Sequence, residues 1–122
     1  MSSGWKLILP EMNDCRCLKP PFYPSSFDSV MVGVDEGNGR FGEVSIETCR
    51  ICSRRWLRYL SEYEAFPKSG RWYRGLVTGE VARTVTPETA LAVLGGLEWR
   101  FAGGSYFDSE GFKTSEPLLV DP

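Results

Sequence analysis

The chain holds four cysteines in two local pairs: Cys15 and Cys17 as Cys-x-Cys, and Cys49 and Cys52 as Cys-x-x-Cys, with 31 residues between the pairs. Each pair is short enough to aim two sulfurs at one point. Two such pairs from distant segments complete a tetrahedron of the kind zinc takes, with Zn–S near ~2.3 Å. Histidine is absent, so no imidazole competes for the metal. The expectation is one structural Zn2+ held by Cys15, Cys17, Cys49 and Cys52. A shell of four thiolates has no open position and makes a poor Lewis acid, so the ion braces the chain and does not react. Three other uses of the same residues stay open. Two disulfides need an oxidising compartment. A redox Cys-x-x-Cys would leave Cys15 and Cys17 unexplained. An iron–sulfur cluster would use spacings unlike the common ferredoxin runs.

Around the cysteines, the clearest regular pattern is a hairpin. Val30, Val32 and Val34 alternate, as do Val44, Ile46 and Thr48, and Asp35–Arg40 between them is rich in turn formers. The second strand runs into Cys49-Arg50-Ile51-Cys52. Residues 5–9 fit a short strand, and residues 10–28, with Pro20, Pro21 and Pro24, read as irregular. Residues 54–66 fit two patterns. Trp56, Tyr59, Leu60, Tyr63 and Phe66 have helical spacing. The aromatic content, with Pro67-Lys68-Ser69-Gly70 as a turn into Arg71–Thr78, favours a second hairpin, and that reading is preferred. One main helix is expected near residues 87–95, with Thr86 as N-cap, Pro87 at the first position and Ala90, Leu91, Val93, Leu94 and Leu97 on its apolar face. Gly103-Gly104-Ser105-Tyr106-Phe107 reads as a turn between strands and also as a candidate ligand loop; the tail from Asp108 is polar, and Pro117 and Pro122 argue against regular structure at its end.

A strand ending at Thr48, a knuckle at Cys49–Cys52, an outgoing strand from Arg54 and an opposing pair at Cys15 and Cys17 together resemble a zinc ribbon. Were residues 54–66 helical, the same ligands would resemble a treble clef. The resemblance covers roughly residues 12–66. It departs from the common pattern in its Cys-x-Cys pair and in Ser53, where a glycine often sits. Such domains serve in nucleic-acid binding, protein docking and plain bracing, so the resemblance implies a metal but no single role.

Composition bounds the remaining choices. At 122 residues, 42% hydrophobic and 25% charged, the chain has the make-up of one globular domain, read here as 1–122 with a zinc-braced part at about 12–66 and a helix-containing remainder at about 79–122. The net charge of −2 hides an asymmetry: residues 50–74 carry seven basic and two acidic side chains, and residues 76–122 carry three basic and seven acidic. Arg50, Arg54, Arg55 and Arg58 around the knuckle, with Arg71, Trp72, Tyr73 and Arg74, are candidate contacts for a partner or for unpaired bases. Arginine stems that cover apolar surface and offset thiolate charge explain the same residues without a ligand. The aromatics around Trp72 and Tyr106 are further contact candidates. The apolar run near the N-terminus is too short for a signal-peptide core and no stretch of ~20 apolar residues exists, so a cytoplasmic protein with no membrane partner is expected.

The expected fold is α+β: a small antiparallel β-sheet organised around a four-cysteine zinc site, with one main α-helix in the C-terminal third. Lack of histidine removes Ser-His-Asp and Cys-His chemistry. The expected role is a non-enzymatic zinc-binding accessory or interaction protein with a protein partner. Binding of RNA or single-stranded DNA through the arginine- and aromatic-rich knuckle is the alternative, and a carboxylate enzyme using Glu62 and Glu64 is a second one.

Overall fold

The structure, a computed structural model, describes residues 15–63 and 65–120. The strand expected at residues 5–9 lies outside them. Six strands form one antiparallel sheet in chain order: β1 (Phe27–Asp35), β2 (Gly42–Cys49), β3 (Arg55–Ser61), β4 (Arg71–Val77), β5 (Arg100–Gly104) and β6 (Ser109–Thr114). Within the ambiguous stretch, Arg55–Ser61 is strand and not helix. Arg55–Ser61 pairs with both neighbours, Val44 facing Tyr59 and Tyr59 facing Tyr73.

The sheet is buried on both faces at its centre, which explains why β3 looks ambiguous in sequence. One face carries Val44, Ile46, Leu57, Tyr59, Tyr73 and Ala102, covered by two helices and the C-terminal segment. The other carries Phe27, Cys49, Trp56 and Phe101, covered by the loop that holds Cys15 and Cys17. A strand covered on both sides loses the apolar–polar alternation that marks a half-buried one.

Two short helices replace the single main helix expected in the C-terminal third. The first, α1 (Gly79–Thr84), has Thr78 as N-cap, its side chain accepting from the Val81 amide at 3.2 Å. Six residues are too few for a 3.6-residue period to show in sequence. The second, α2 (Ala90–Gly95), starts later than expected, because residues 87–89 form a turn. Thr86 does cap that turn: its hydroxyl accepts from the Thr89 amide at 3.2 Å while the Thr89 hydroxyl accepts from the Thr86 amide at 2.9 Å. At the far end of α2, buried Arg100 donates to the carbonyls of Leu94, Leu97 and Glu116, tying the helix terminus to the chain after β6.

Two further expectations change, and one strand is added. A bulge between Met31 and Gly33 shifts the register, so Val30 faces Ile46 but Val34 faces Glu43, and the two valines point to opposite faces. Gly103 and Gly104 belong to β5, and the turn is residues 105–108. The polar stretch after Asp108 supplies β6, whose Phe112 faces Ala102. Among the described residues no helix is long and apolar enough to cross a membrane.

Candidate metal centre

All four cysteines meet at one point. Cys15 precedes a 3-10 turn at Arg16–Leu18 that also carries Cys17, closed by the Leu18 amide on the Cys15 carbonyl at 3.0 Å. Cys49 is the last residue of β2, and Cys52 follows on the knuckle before β3. The knuckle closes by the Ser53 amide donating to the Cys49 carbonyl at 2.9 Å, while the Ile51 amide donates to the Cys49 Sγ at 3.4 Å. Ser53 takes a left-handed φ of 66°, where its sequence already departs from the usual glycine.

The four Sγ atoms lie within 4.8 Å of one another. Cys15 and Cys49 are 3.6 Å apart and Cys17 and Cys52 3.5 Å apart, each contact joining one residue from either pair. A tetrahedral ion with ~2.3 Å bonds to sulfur requires edges of about 3.8 Å, so the thiols fit one metal ion. The same separations are far longer than a disulfide bond of ~2.05 Å, and all four cysteines are free.

Burial and charge in the site pull in opposite directions. Burial pushes the Cys15 and Cys17 thiols up. It acts on Cys52 in the same sense, but hydrogen bonds from the Arg54 backbone and side chain and from the neighbouring thiols outweigh it and bring Cys52 down to about 6. Arg54 is raised in turn, first by its contact with the Cys52 sulfur. One thiolate thus makes the next harder to form, and a divalent cation among the sulfurs removes that opposition. Two buried donors add to the case. Arg54 Nη1 and Trp56 Nε1 are buried without a hydrogen-bond partner. Both side chains lie beside the sulfurs, Arg54 next to Cys52 and Trp56 next to Cys17. Negatively charged sulfur is the acceptor such donors need.

The site rests on an aromatic slab. Trp56, fully buried, packs against Trp99 and Phe101, and Phe22 from the cysteine loop meets Phe101 at 5.1 Å and Trp72 at 5.8 Å between ring centroids. The contacts of the cysteine loop therefore reach β5, beyond the stretch the cysteine spacing alone would brace. Phe22, Phe27 and Phe101 carried no signal in sequence, because their meeting depends on the order of strands in the sheet.

The arginine and aromatic candidates do not share one surface. Arg50 is exposed and pairs with exposed Asp28 at 2.9 Å. Arg54 covers the sulfurs. Arg55 is exposed at the start of β3, close to Gly79. Arg58 and Trp72 are half-buried on the cysteine face, where Arg74 is fully buried. Arg71 and Tyr73 are buried on the helix face. Of the paired carboxylates, Glu62 is exposed, and Glu64 lies outside the described residues. Two acids, Glu47 partly buried and Asp35 buried, do not stand out as site residues in sequence. Glu47 pairs with Arg74. Asp35 accepts from the Tyr59 hydroxyl at 2.7 Å and the Gly37 amide at 3.0 Å. No protein-family model matches the chain, and no curated protein or solved structure matches it either.

Proposed function

We propose that this chain is a small non-enzymatic protein braced by one structural zinc ion and acting by docking to a protein partner. The convergence of four free, largely buried sulfurs within 4.8 Å carries the metal part of this reading. When bound, zinc would neutralise the thiolates and join the loop before β1 to the β2–β3 knuckle. Cys15, Cys17, Cys49 and Cys52 would hold it, Arg54 and Trp56 would stabilise the sulfurs, and the slab around Trp56 would exclude water. The strand that follows Cys52 supports the ribbon side of the resemblance, since a treble clef would place a helix there. The docking part draws on the exposed apolar side chains Tyr23, Ile51, Phe66 and Tyr106.

Metal analysis of the purified chain, combined with thiol titration in its native state, tests the metal. About one equivalent of zinc with slow thiols is expected from a closed four-thiolate site. Less than half an equivalent, iron in its place, or four freely titrating thiols would sink it. A salt-dependent titration with RNA and single-stranded DNA tests the competing nucleic-acid role; tight binding that weakens steeply with salt would replace docking as the reading.

A further inference from the structure

Strand β4 buries two arginines, and the described residues supply a carboxylate to only one of them. Arg74 has Glu47. Arg71, three residues earlier and on the opposite face, is 5% exposed and forms no ion pair with any described residue. Its Nε is buried without a hydrogen-bond partner. Its guanidinium carbon lies 4.5 Å from the Tyr106 ring centre and 5.5 Å from that of Tyr63. Aromatic faces attract a cation but offer no acceptor to its five N–H groups. Arginine keeps its charge, so burial without a counter-ion leaves a standing demand for one.

The same arginine lines an open cavity of about 350 Å³ with Tyr63, Phe66, Pro67, Lys68 and Tyr106. Its walls are held in place from several sides. The Ser69 hydroxyl accepts from the Tyr63 amide at 2.9 Å and donates to the Tyr63 carbonyl at 2.7 Å, while the Tyr63 hydroxyl donates to the Val120 carbonyl. Gly104, with φ 110°, lets β5 approach so closely that a Cβ there would stand 2.5 Å from the Gly70 carbonyl oxygen. That approach lets the Tyr106 amide donate to Gly70 at 2.8 Å and sets its ring over Arg71. The Gly103-Gly104 segment thus shapes the cavity through the side chain it positions.

We propose that this pocket binds a carboxylate carried on an apolar or aromatic group, with Arg71 as the counter-charge and Tyr63, Phe66 and Tyr106 as the walls. A guanidinium matches a carboxylate in charge and in its two-pronged geometry. A phosphate would call for more donors than one arginine and the exposed Lys68 provide. The cavity admits a single ring-sized group. Either a free small acid or the C-terminal residue of a polypeptide meets this description. The polypeptide source rests on the docking role proposed above. The small-acid source does not, and neither depends on the metal, which lies on the opposite face.

The test is a calorimetric and amide-NMR titration of the full chain as purified. The probes are phenylacetate, phenylacetamide, phenyl phosphate, and a short peptide ending in phenylalanine with a free or an amidated terminus. Each carboxylate is expected to bind about tenfold or more tighter than its amide, the size of effect a charge-assisted pair supplies. Amide shifts should centre on Gly70, Arg71, Ser105 and Tyr106. Arg71→Met should abolish the preference for carboxylate, and Arg71→Lys should keep part of it. Tyr106→Ala, at an exposed position, should weaken all binding while the chain stays folded and its metal content is unchanged, which keeps the test informative if Arg71→Met fails to fold. A peptide bound about tenfold tighter than phenylacetate identifies a chain terminus as the source, and equal affinity identifies a small acid. Equal binding of acid and amide, tighter binding of phenyl phosphate, or no binding of any probe at millimolar concentration would overturn the proposal.

Discussion

The two faces of the sheet are stabilised in different ways. The helix face is an ordinary apolar core, with Val44, Leu57, Tyr59, Ala90 and Leu94 packed to full or nearly full burial. Asp35 is satisfied there by Tyr59 and the end of α2 by Arg100, whereas Ser61 Oγ and Arg71 Nε are buried without a hydrogen-bond partner. The cysteine face has fewer aliphatic side chains. It relies on four sulfurs, a slab of aromatic rings and the buried Arg74–Glu47 pair, and Arg74 also stacks on Phe27 at 4.3 Å and Phe22 at 4.7 Å. A loop with little regular structure of its own cannot stay on a sheet through aliphatic burial it does not have. It needs crosslinks, and a metal ion is the strongest one within its reach.

Metal removal should separate the faces most. Chelation, or Cys49→Ala, is expected to lower stability by about 5 kcal/mol or more, a large share of what a domain of this size has. Near-ultraviolet signals from Trp56 and Trp99 should collapse first, because those rings line the cysteine face. An unchanged melting temperature after complete chelation would show that the two faces do not differ in this way.

Next in size is the buried ion pair. Glu47→Gln strands the Arg74 charge and should cost about 3 kcal/mol by denaturant unfolding. The double variant Glu47→Leu with Arg74→Met should recover most of that loss, because an apolar pair of similar volume incurs no desolvation cost. A double variant as unstable as the single one would mean that Arg74 has a further partner.

The helix face offers a milder test. Tyr59→Phe leaves Asp35 without its buried hydroxyl donor and should cost about 1–3 kcal/mol. Burial first, and then the Asp35 carboxylate, push the Tyr59 phenol above its ordinary 10.0. A group raised in the folded state contributes fully below its unfolded value, and the contribution is lost as pH rises beyond it. Stability should therefore hold up to about pH 10 and decline above it, less steeply in Tyr59→Phe, as read from denaturant midpoints against pH. Equal slopes in both proteins would remove Tyr59 from the account.

The smallest effect belongs to the knuckle. Ser53→Gly relieves a left-handed serine and should raise stability by about 0.5 kcal/mol, the strain relieved slightly exceeding the added freedom of the unfolded chain. A decrease would show that the Ser53 side chain makes a contribution of its own.

The sequence alone determined the features that are local in the chain. Each cysteine pair spans at most a turn, so its ability to converge on a metal is legible from spacing. The turn at residues 35–40 and the Thr86 cap are legible for the same reason. The hairpin reading of residues 54–66 rested on aromatic content and a turn signal, both short-range. Only the tertiary structure decided what depends on register and on distant neighbours. The bulge at Met31/Gly33 sends Val34 to the other face from Val30. The polar stretch 109–114 becomes a strand because β5 presents an edge to it. The strands of the central sheet are covered on both sides, so Arg71 and Arg74, which look like surface charge in sequence, are buried on opposite faces. Glu47 answers one of them across the sheet, and no described residue answers the other. The four cysteines could be found from their spacing because a short peptide holds each pair together. The unanswered charge on Arg71 could not, because it exists only once β4 is buried between two layers.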